Sequence, residues 1–432
     1  MKLSAQRRLP LIVVFLILGL SLHNFLNYDP RSGYDANGHF SHIHQIAETG
    51  EVRLNTYSAS NPPLYYWFMA ALWKLTQGEK ALQFVSLALY WLGCFVLFQA
   101  LRLVGASVAM ASLLTLGFAF LPVNLAYSLN VFNYALANPL LYLGVVYMLY
   151  LFRSEITLAR IALLALIASA ATLTALTALS LVVLVGVFAL IGPVSKTPRW
   201  KLLLTALGVM GIFLVPYFTA RIERVGCATC SLHRGRPWEE WWLLRPLWYY
   251  LPTRLTLLFQ NPVQEGPFRD WDMWTYLHGT TFGDYWNYLI SPHNQYRPGF
   301  PVPLTGRHAV DAQRLRGLRI VMGLALPVVA LGGWAVLSQA VRWAKRGRDI
   351  LSRGRSETLL FMFCVLQFAQ FFVYCHTYRD PVSLHGGYLL GAYFALCVLL
   401  GIYSQRASRR WNYAFGGVLV VFSLASGWVF YL

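Results

Sequence analysis

Apolar residues recur along this chain in long blocks, separated by short polar segments, from one end to the other. A helix rises 1.5 Å per residue, so about 20 residues cross the ~30 Å hydrocarbon layer of a bilayer. Blocks of suitable length and composition occupy 10–25, 80–102, 107–125, 133–151, 161–175, 177–192, 202–220, 318–341, 357–375, 386–403 and 412–431. The pattern predicts an all-α polytopic membrane protein with about eleven transmembrane helices. A barrel would show short alternating segments, whereas Ile161 to Ile191 is apolar almost throughout. As one helix that stretch of ~32 residues would reach ~48 Å, so it is read as two short helices.

Charge fixes the direction of the first crossing. It follows Lys2, Arg7 and Arg8 with no small-x-small cleavage site after it, which predicts an uncleaved helix and a cytoplasmic N-terminus. Splitting 161–192 places Arg342, Lys345, Arg346, Arg348, Arg353 and Arg355, then Arg406, Arg409 and Arg410, on that same side. A single helix would move both clusters across the membrane. Two longer segments then face outward, 27–79 and 221–317, giving an N-terminal module 1–220, an aromatic-rich outer segment 221–317 and C-terminal helices 318–432.

Composition agrees with this picture. With 57% hydrophobic and 12% charged residues, the chain cannot cover an ordinary soluble surface. The formal charge of +18 falls largely between apolar blocks, so it reads as a topology signal and no nucleic-acid partner is expected. Cys94, Cys364, Cys375 and Cys397 lie in or at the ends of apolar blocks as small hydrophobes, while Cys227 and Cys230 form one local pair that fits a disulfide or half of a zinc site.

Candidate chemistry gathers outside the blocks. Tyr34-Asp35-Ala36-Asn37-Gly38-His39 opens a stretch whose Phe40, Ile43, Ile46 and Ala47 form an apolar stripe, predicting an interfacial helix over 35–48 with Asp35 at its positive end. Asp35 reads equally as a helix N-cap. Asn61-Pro62-Pro63 breaks the chain, and 64–75 predicts a second interfacial helix. His39 and His42 share a face while His44 points elsewhere, which is poor spacing for a metal. The tryptophans and tyrosines of 221–317 read either as an interfacial belt or as a platform that stacks on sugar rings.

An acid just beyond the first crossing, an interfacial helix after it, and Pro62-Pro63-Leu64-Tyr65-Tyr66 before the second crossing together resemble the GT-C glycosyltransferases, in particular the family of protein O-mannosyltransferases and the lipid A aminoarabinose transferase. The likeness is strongest over 28–73 and returns in His385-Gly386-Gly387-Tyr388-Leu389-Leu390. It implies transfer of a sugar from a polyprenyl-phosphate donor to a glycan, lipid or protein acceptor at the outer, periplasmic or lumenal, face. The setting it suggests is a bacterial inner membrane. Asp35 matches the acid that serves as catalytic base or orients the acceptor. Substrate contacts are implied for Tyr34, His39, Asn61, Pro62, Tyr65, Asn133 and Tyr388. Arg53, Lys74, His376 and Arg379 are candidates for the phosphate, and each also reads as a side chain snorkelling to the headgroups. Asp284, in Thr280-Thr281-Phe282-Gly283-Asp284, fits sugar or acceptor hydroxyls, or a turn carboxylate.

Departures from the family pattern bear on cofactors. Asn133 stands where a second acid is common, Gly387 where Arg often precedes Tyr, and Ala175 where Lys often follows Leu-Thr. An amide holds a divalent metal less tightly than a carboxylate, so metal dependence stays open. A lipid transporter or flippase would account for the helices too, but should show discontinuous helices, repeats or midplane charges. A noncatalytic assembly subunit is the third alternative. No Walker or Rossmann motif points to direct use of a nucleotide.

Overall fold

A computed structural model describes residues 5–32, 36–52, 61–192, 195–226, 228, 255–260, 272–283, 312–346, 355–377 and 386–431. The described residues are helical apart from turns, with no strand. The helices are α1 (Ala5–Asn27), α2 (Ala36–Thr49), α3 (Leu64–Thr76), α4 (Glu79–Leu103), α5 (Val108–Ala119), α6 (Pro122–Leu129), α7 (Tyr134–Leu151) and α8 (Leu158–Thr172). They continue as α9 (Leu179–Ile191), α10 (Arg199–Val225), α11 (Thr256–Gln260), α12 (Met273–Phe282), α13 (Ala312–Arg346), α14 (Arg355–Thr377), α15 (Leu390–Ser404) and α16 (Arg409–Val429). Ten of the eleven apolar blocks each fall largely in one helix, and the block 107–125 is divided between α5 and α6. Among the described residues eight are long and apolar enough to cross a membrane, nine if α5 and α6 count as one bent span, and α8 and α9 are shorter. The chain is an integral, multi-pass membrane protein.

Two breaks shape the bundle. The block expected as one crossing over 107–125 is bent by 67° between α5 and α6. Pro122 sits at the first turn of α6, where its missing N–H costs nothing. The carbonyls opened by the bend are occupied: Asn124 donates to Phe118 O at 3.0 Å, Tyr90 to Ala119 O at 3.0 Å and Ser426 to Phe120 O at 2.6 Å. The second break is the expected one. α8 and α9 meet at a tip, 173–178, that includes a 3-10 turn at Leu176–Ala178. With 15 and 13 residues, these helices rise only about 22 and 20 Å, so the tip ends short of a full crossing.

Non-helical backbone at such depth must find partners inside the protein. Four residues from three elements supply them. Leu64 N of α3 donates to Leu173 O at 2.9 Å, Asn133 Nδ2 to Thr174 O at 2.9 Å, Gln370 Nε2 to Leu176 O at 2.7 Å and Gln367 Nε2 to Thr177 O at 3.2 Å. The tip therefore ties α3, the start of α7, and α14 together at the end of the bundle where α2 and α12 also lie.

At the opposite end Glu357 of α14 joins Arg342 of α13, at 3.2 Å, and Arg406 after α15; Arg342 also bonds and overlies Tyr403. Glu357 is nearly buried while both arginines are partly exposed, so solvent screens the pair. Glu357→Gln is expected to cost about 1–2 kcal/mol, well below the loss for a fully buried pair, and detergent-solubilised protein should melt a few degrees lower. An unchanged melting temperature would mean the cluster contributes nothing.

Candidate functional site

α2 begins one residue after Asp35 and ends at Gly50, whose positive φ of 74° lets its N–H return to Ile46 O at 2.8 Å. Its apolar stripe is buried as the pattern predicts. Phe40, Ile43 and Ile46 pack with Tyr65, Tyr66 and Met69 of α3, Leu82 of α4, and Val131 and Ala135 beside the start of α7. The same face carries two polar side chains inward, His39 and His42, both buried.

His39 Nδ1 lies 2.7 Å from the Tyr66 hydroxyl, which accepts from Asn61 Nδ2 at 3.2 Å. Burial, with His42 as a lesser cause, pushes His39 down to about 3, so the ring is neutral at working pH and bonds as a dipole. Tyr65 is fully buried with its hydroxyl near Ser86, and burial pushes that phenol up. Pro62 is buried before the first turn of α3. Lys74 is exposed in the last turn of α3, about 13 Å of helix rise from Tyr65, and is not brought to this cluster.

From His39 an aromatic wall runs across the end of the bundle. His39 meets Phe132 edge-on at 6.1 Å, Phe132 meets Tyr127 at 4.3 Å and Tyr134 at 5.6 Å, Tyr134 meets Tyr388 at 5.3 Å, and Tyr388 meets Tyr374 at 4.9 Å. The first outer segment and the late Gly-Gly-Tyr turn, with His39 and Tyr388 349 residues apart in the chain, are thus two ends of one surface. Beneath it Ser86, Tyr90, Asn124, Tyr127, Tyr134, Asn138 and Tyr142 line a small internal cavity.

Asn133 is buried, and its donation to Thr174 O explains the amide. A carboxylate there would face a carbonyl with no proton to offer. Among the described residues no group of three His, Cys, Asp or Glu is placed to hold a metal. Gly387 has an equally direct reason, because a Cβ there would overlap the Tyr127 phenol, and one at Gly386 would overlap the Thr281 side chain.

α12, from the segment read as an interfacial belt or a stacking platform, is buried almost throughout, with Trp274 its exposed residue. Asp272 caps it by accepting from Thr275 N at 2.9 Å and Thr275 Oγ1 at 2.8 Å. Thr280 Oγ1 accepts from Gly386 N at 3.0 Å, and His278 pairs with Met322 O at 3.0 Å. Burial pushes His278 down to about 4.

Tyr34, Asp35, Arg53, Asp284 and Arg379 lie outside the described residues, as do Cys227 and Cys230, and His376 falls in the last turn of α14. Sequence reasoning missed Tyr127, Phe132, Tyr134, Tyr374, Thr177, Gln367 and Gln370. A usable signal was present for two of them, since Gln367 and Gln370 stand three apart in an otherwise apolar crossing.

The chain is similar to ArnT from Cupriavidus metallidurans. In the apo state the likeness has a TM-score of 0.52 at 15% identity and covers 94% of this chain and 62% of that one. The two chains share a membrane-protein fold. For ArnT bound to undecaprenyl phosphate the TM-score is 0.50 at 14% identity, over 93% of this chain and 62% of that one. This chain thus spans less than two thirds of the ArnT length. No family model and no curated protein matches it.

His39 and His278 make stability depend on acid. Both have folded values below the unfolded value of 6.5, so the unfolded chain binds more protons and stability is lost as pH falls from about 6.5 toward 3 and 4. Each group contributes a slope of up to about 1.4 kcal/mol per pH unit. The melting temperature in detergent should be lower at pH 5 than at pH 7, and the drop should shrink in a His39→Gln, His278→Gln double variant. Equal drops in both proteins would show that other groups set the acid sensitivity.

Proposed function

We propose that this protein is a membrane glycosyltransferase that moves a sugar from a polyprenyl-phosphate donor to an acceptor hydroxyl at the end of the bundle bearing α2, α12 and the Gly386–Leu389 turn. That end faces the periplasm of a bacterial inner membrane in this reading. The observation that carries it is the aromatic wall joining the first turn of α2, directly after Asp35, to Tyr388. Support from fold comes from ArnT, one of whose structures holds undecaprenyl phosphate.

In the reaction the acceptor oxygen bonds to C1 of the sugar while the C1–oxygen bond to the lipid phosphate breaks. The phosphate leaves with the electron pair, and Asp35 takes the acceptor's proton. Cations at the membrane surface stabilise the departing phosphate, with Arg53, His376 and Arg379 proposed for that role and Lys74 as a more distant partner. The bent α5–α6 pair, a feature shared with transporters, has its opened carbonyls taken by Asn124, Tyr90 and Ser426.

The test is transfer from a panel of radiolabelled undecaprenyl-phosphate sugars into membrane acceptors by purified protein in vesicles, with and without chelator. Transfer above protein-free vesicles is expected from at least one donor. Its absence with every donor would remove the transferase reading.

A further inference from the structure

The tip of the α8–α9 hairpin is over-supplied with hydrogen-bonding groups. Gln370 spends its Nε2 on Leu176 O, which fixes the amide's orientation, because a carbonyl only accepts. Its Oε1 is then a buried acceptor without a hydrogen-bond partner, and so is the Thr177 hydroxyl oxygen. The Tyr134 phenol approaches Thr177, but no bond of normal geometry closes. An unsatisfied buried polar atom is destabilising, so two such atoms, one on the tip and one on the α14 side chain bonded to it, mark a place where a partner is missing.

The surroundings define that partner's chemistry. Tyr134 and Tyr388 pack at 5.3 Å, and the hydroxyls of Tyr374 and Tyr388 lie 3.4 Å apart; all three rings are only partly buried, so the cluster opens to the surface. Gln367 completes it by holding Thr177 O and Ser180 Oγ. Among the described residues, the side chains that meet here are amides, hydroxyls and phenols. A molecule that fits offers several hydroxyl protons, a ring face for stacking, and no charge.

We infer that Thr177 and Gln370, beside Tyr134 and Tyr388, form a subsite that recognises the hydroxyls of an uncharged sugar ring on the lipid-linked donor. Gln370 Oε1 accepts from one sugar hydroxyl, the Thr177 hydroxyl exchanges a bond with another, and the phenols cover a ring face. This names the sugar class for the proposed reaction and rests on that reading for its donor.

Binding separates the two ideas. The affinity of the full-length protein for undecaprenyl phosphate is compared with that for undecaprenyl phosphate carrying a neutral hexose or an amino sugar. The wild type is expected to bind the hexose form about tenfold or more tightly than the bare lipid phosphate, the factor that one or two net hydrogen bonds supply. The amino-sugar form should gain less. Thr177→Val should erase most of the hexose advantage while leaving bare-lipid affinity and the melting temperature unchanged, because that hydroxyl closes no hydrogen bond of normal geometry with the protein. Gln370→Leu should act in the same direction, and any loosening of the tip would appear as a lower melting temperature.

Retention of the full advantage in Thr177→Val would overturn the subsite, as would equal wild-type affinity for all three lipids. A greater gain for the amino sugar would overturn the uncharged class. A hexose advantage lost in Thr177→Val, without transfer from any donor, would uphold the subsite and remove the transferase reading.

Discussion

Asp35→Asn is expected to lower sugar transfer by about 10²–10⁴-fold, the range associated with removing a positioned general base, without lowering the amount of folded protein. The substitution separates the two roles open to this residue. Asn is as good a helix N-cap as Asp, so if Asp35 only starts α2, the variant folds and works like the wild type. A carboxylate that takes the acceptor's proton has no substitute in an amide. The imidazole four residues along the chain is a poor replacement, because burial disfavours the protonated form of His39 that a base must become, and its Nδ1 is engaged by Tyr66. The readout is transfer at matched protein levels together with the melting temperature in detergent. Loss of transfer at an unchanged melting temperature supports the base. Full activity in Asp35→Asn would remove it from the chemistry.

Much of the fold was legible because it follows from local pattern and length. The amphipathic stripe predicted a helix over 35–48 and the structure forms it over 36–49; the apolar run after Asn61-Pro62-Pro63 predicted 64–75 and forms 64–76. The split of 161–192 came from a length no single crossing accommodates, and it falls at 173–178. The bend between α5 and α6 was not legible, since a proline is also common in continuous membrane helices and the groups that stabilise this break come from Tyr90 and Ser426, far along the chain.

The same limit applies to the site. Asn61, His39 and Tyr388 were identifiable as residues of interest, and the structure places them along one aromatic surface or bonded to it. What joins them is non-local: Phe132 and Tyr134 become a bridge because the tip of α8–α9 anchors Asn133 between them. The burial of α12 was hidden for a similar reason. Its threonines look suited to a surface loop, and only their bonds to Gly386 and Tyr393 account for their place in the bundle.

Gly387→Ala is expected to be among the most damaging single-methyl changes at this end of the protein. A Cβ at 387 would occupy the position of the Tyr127 phenol, and the turn cannot retreat. Gly386 N is bonded to Thr280 at 3.0 Å, and the Gly386 backbone sits so close to Thr281 that a Cβ there would lie 3.0 Å from the Thr281 Cα. Tyr127 must therefore move, and its ring is held against Phe132 at 4.3 Å over the internal cavity. Overpacking of this kind costs about 1–3 kcal/mol, and displacement of Tyr127 disturbs the wall that carries the proposed substrate contacts. The expected result is a lower melting temperature and reduced transfer. Truncating the obstacle should reverse part of the loss, so Gly387→Ala combined with Tyr127→Ala should be more stable than the sum of the two single effects. Such coupling is expected only between residues in contact. Strict additivity would mean that the turn and Tyr127 do not meet, and the link between the late motif and the aromatic wall would have to be given up.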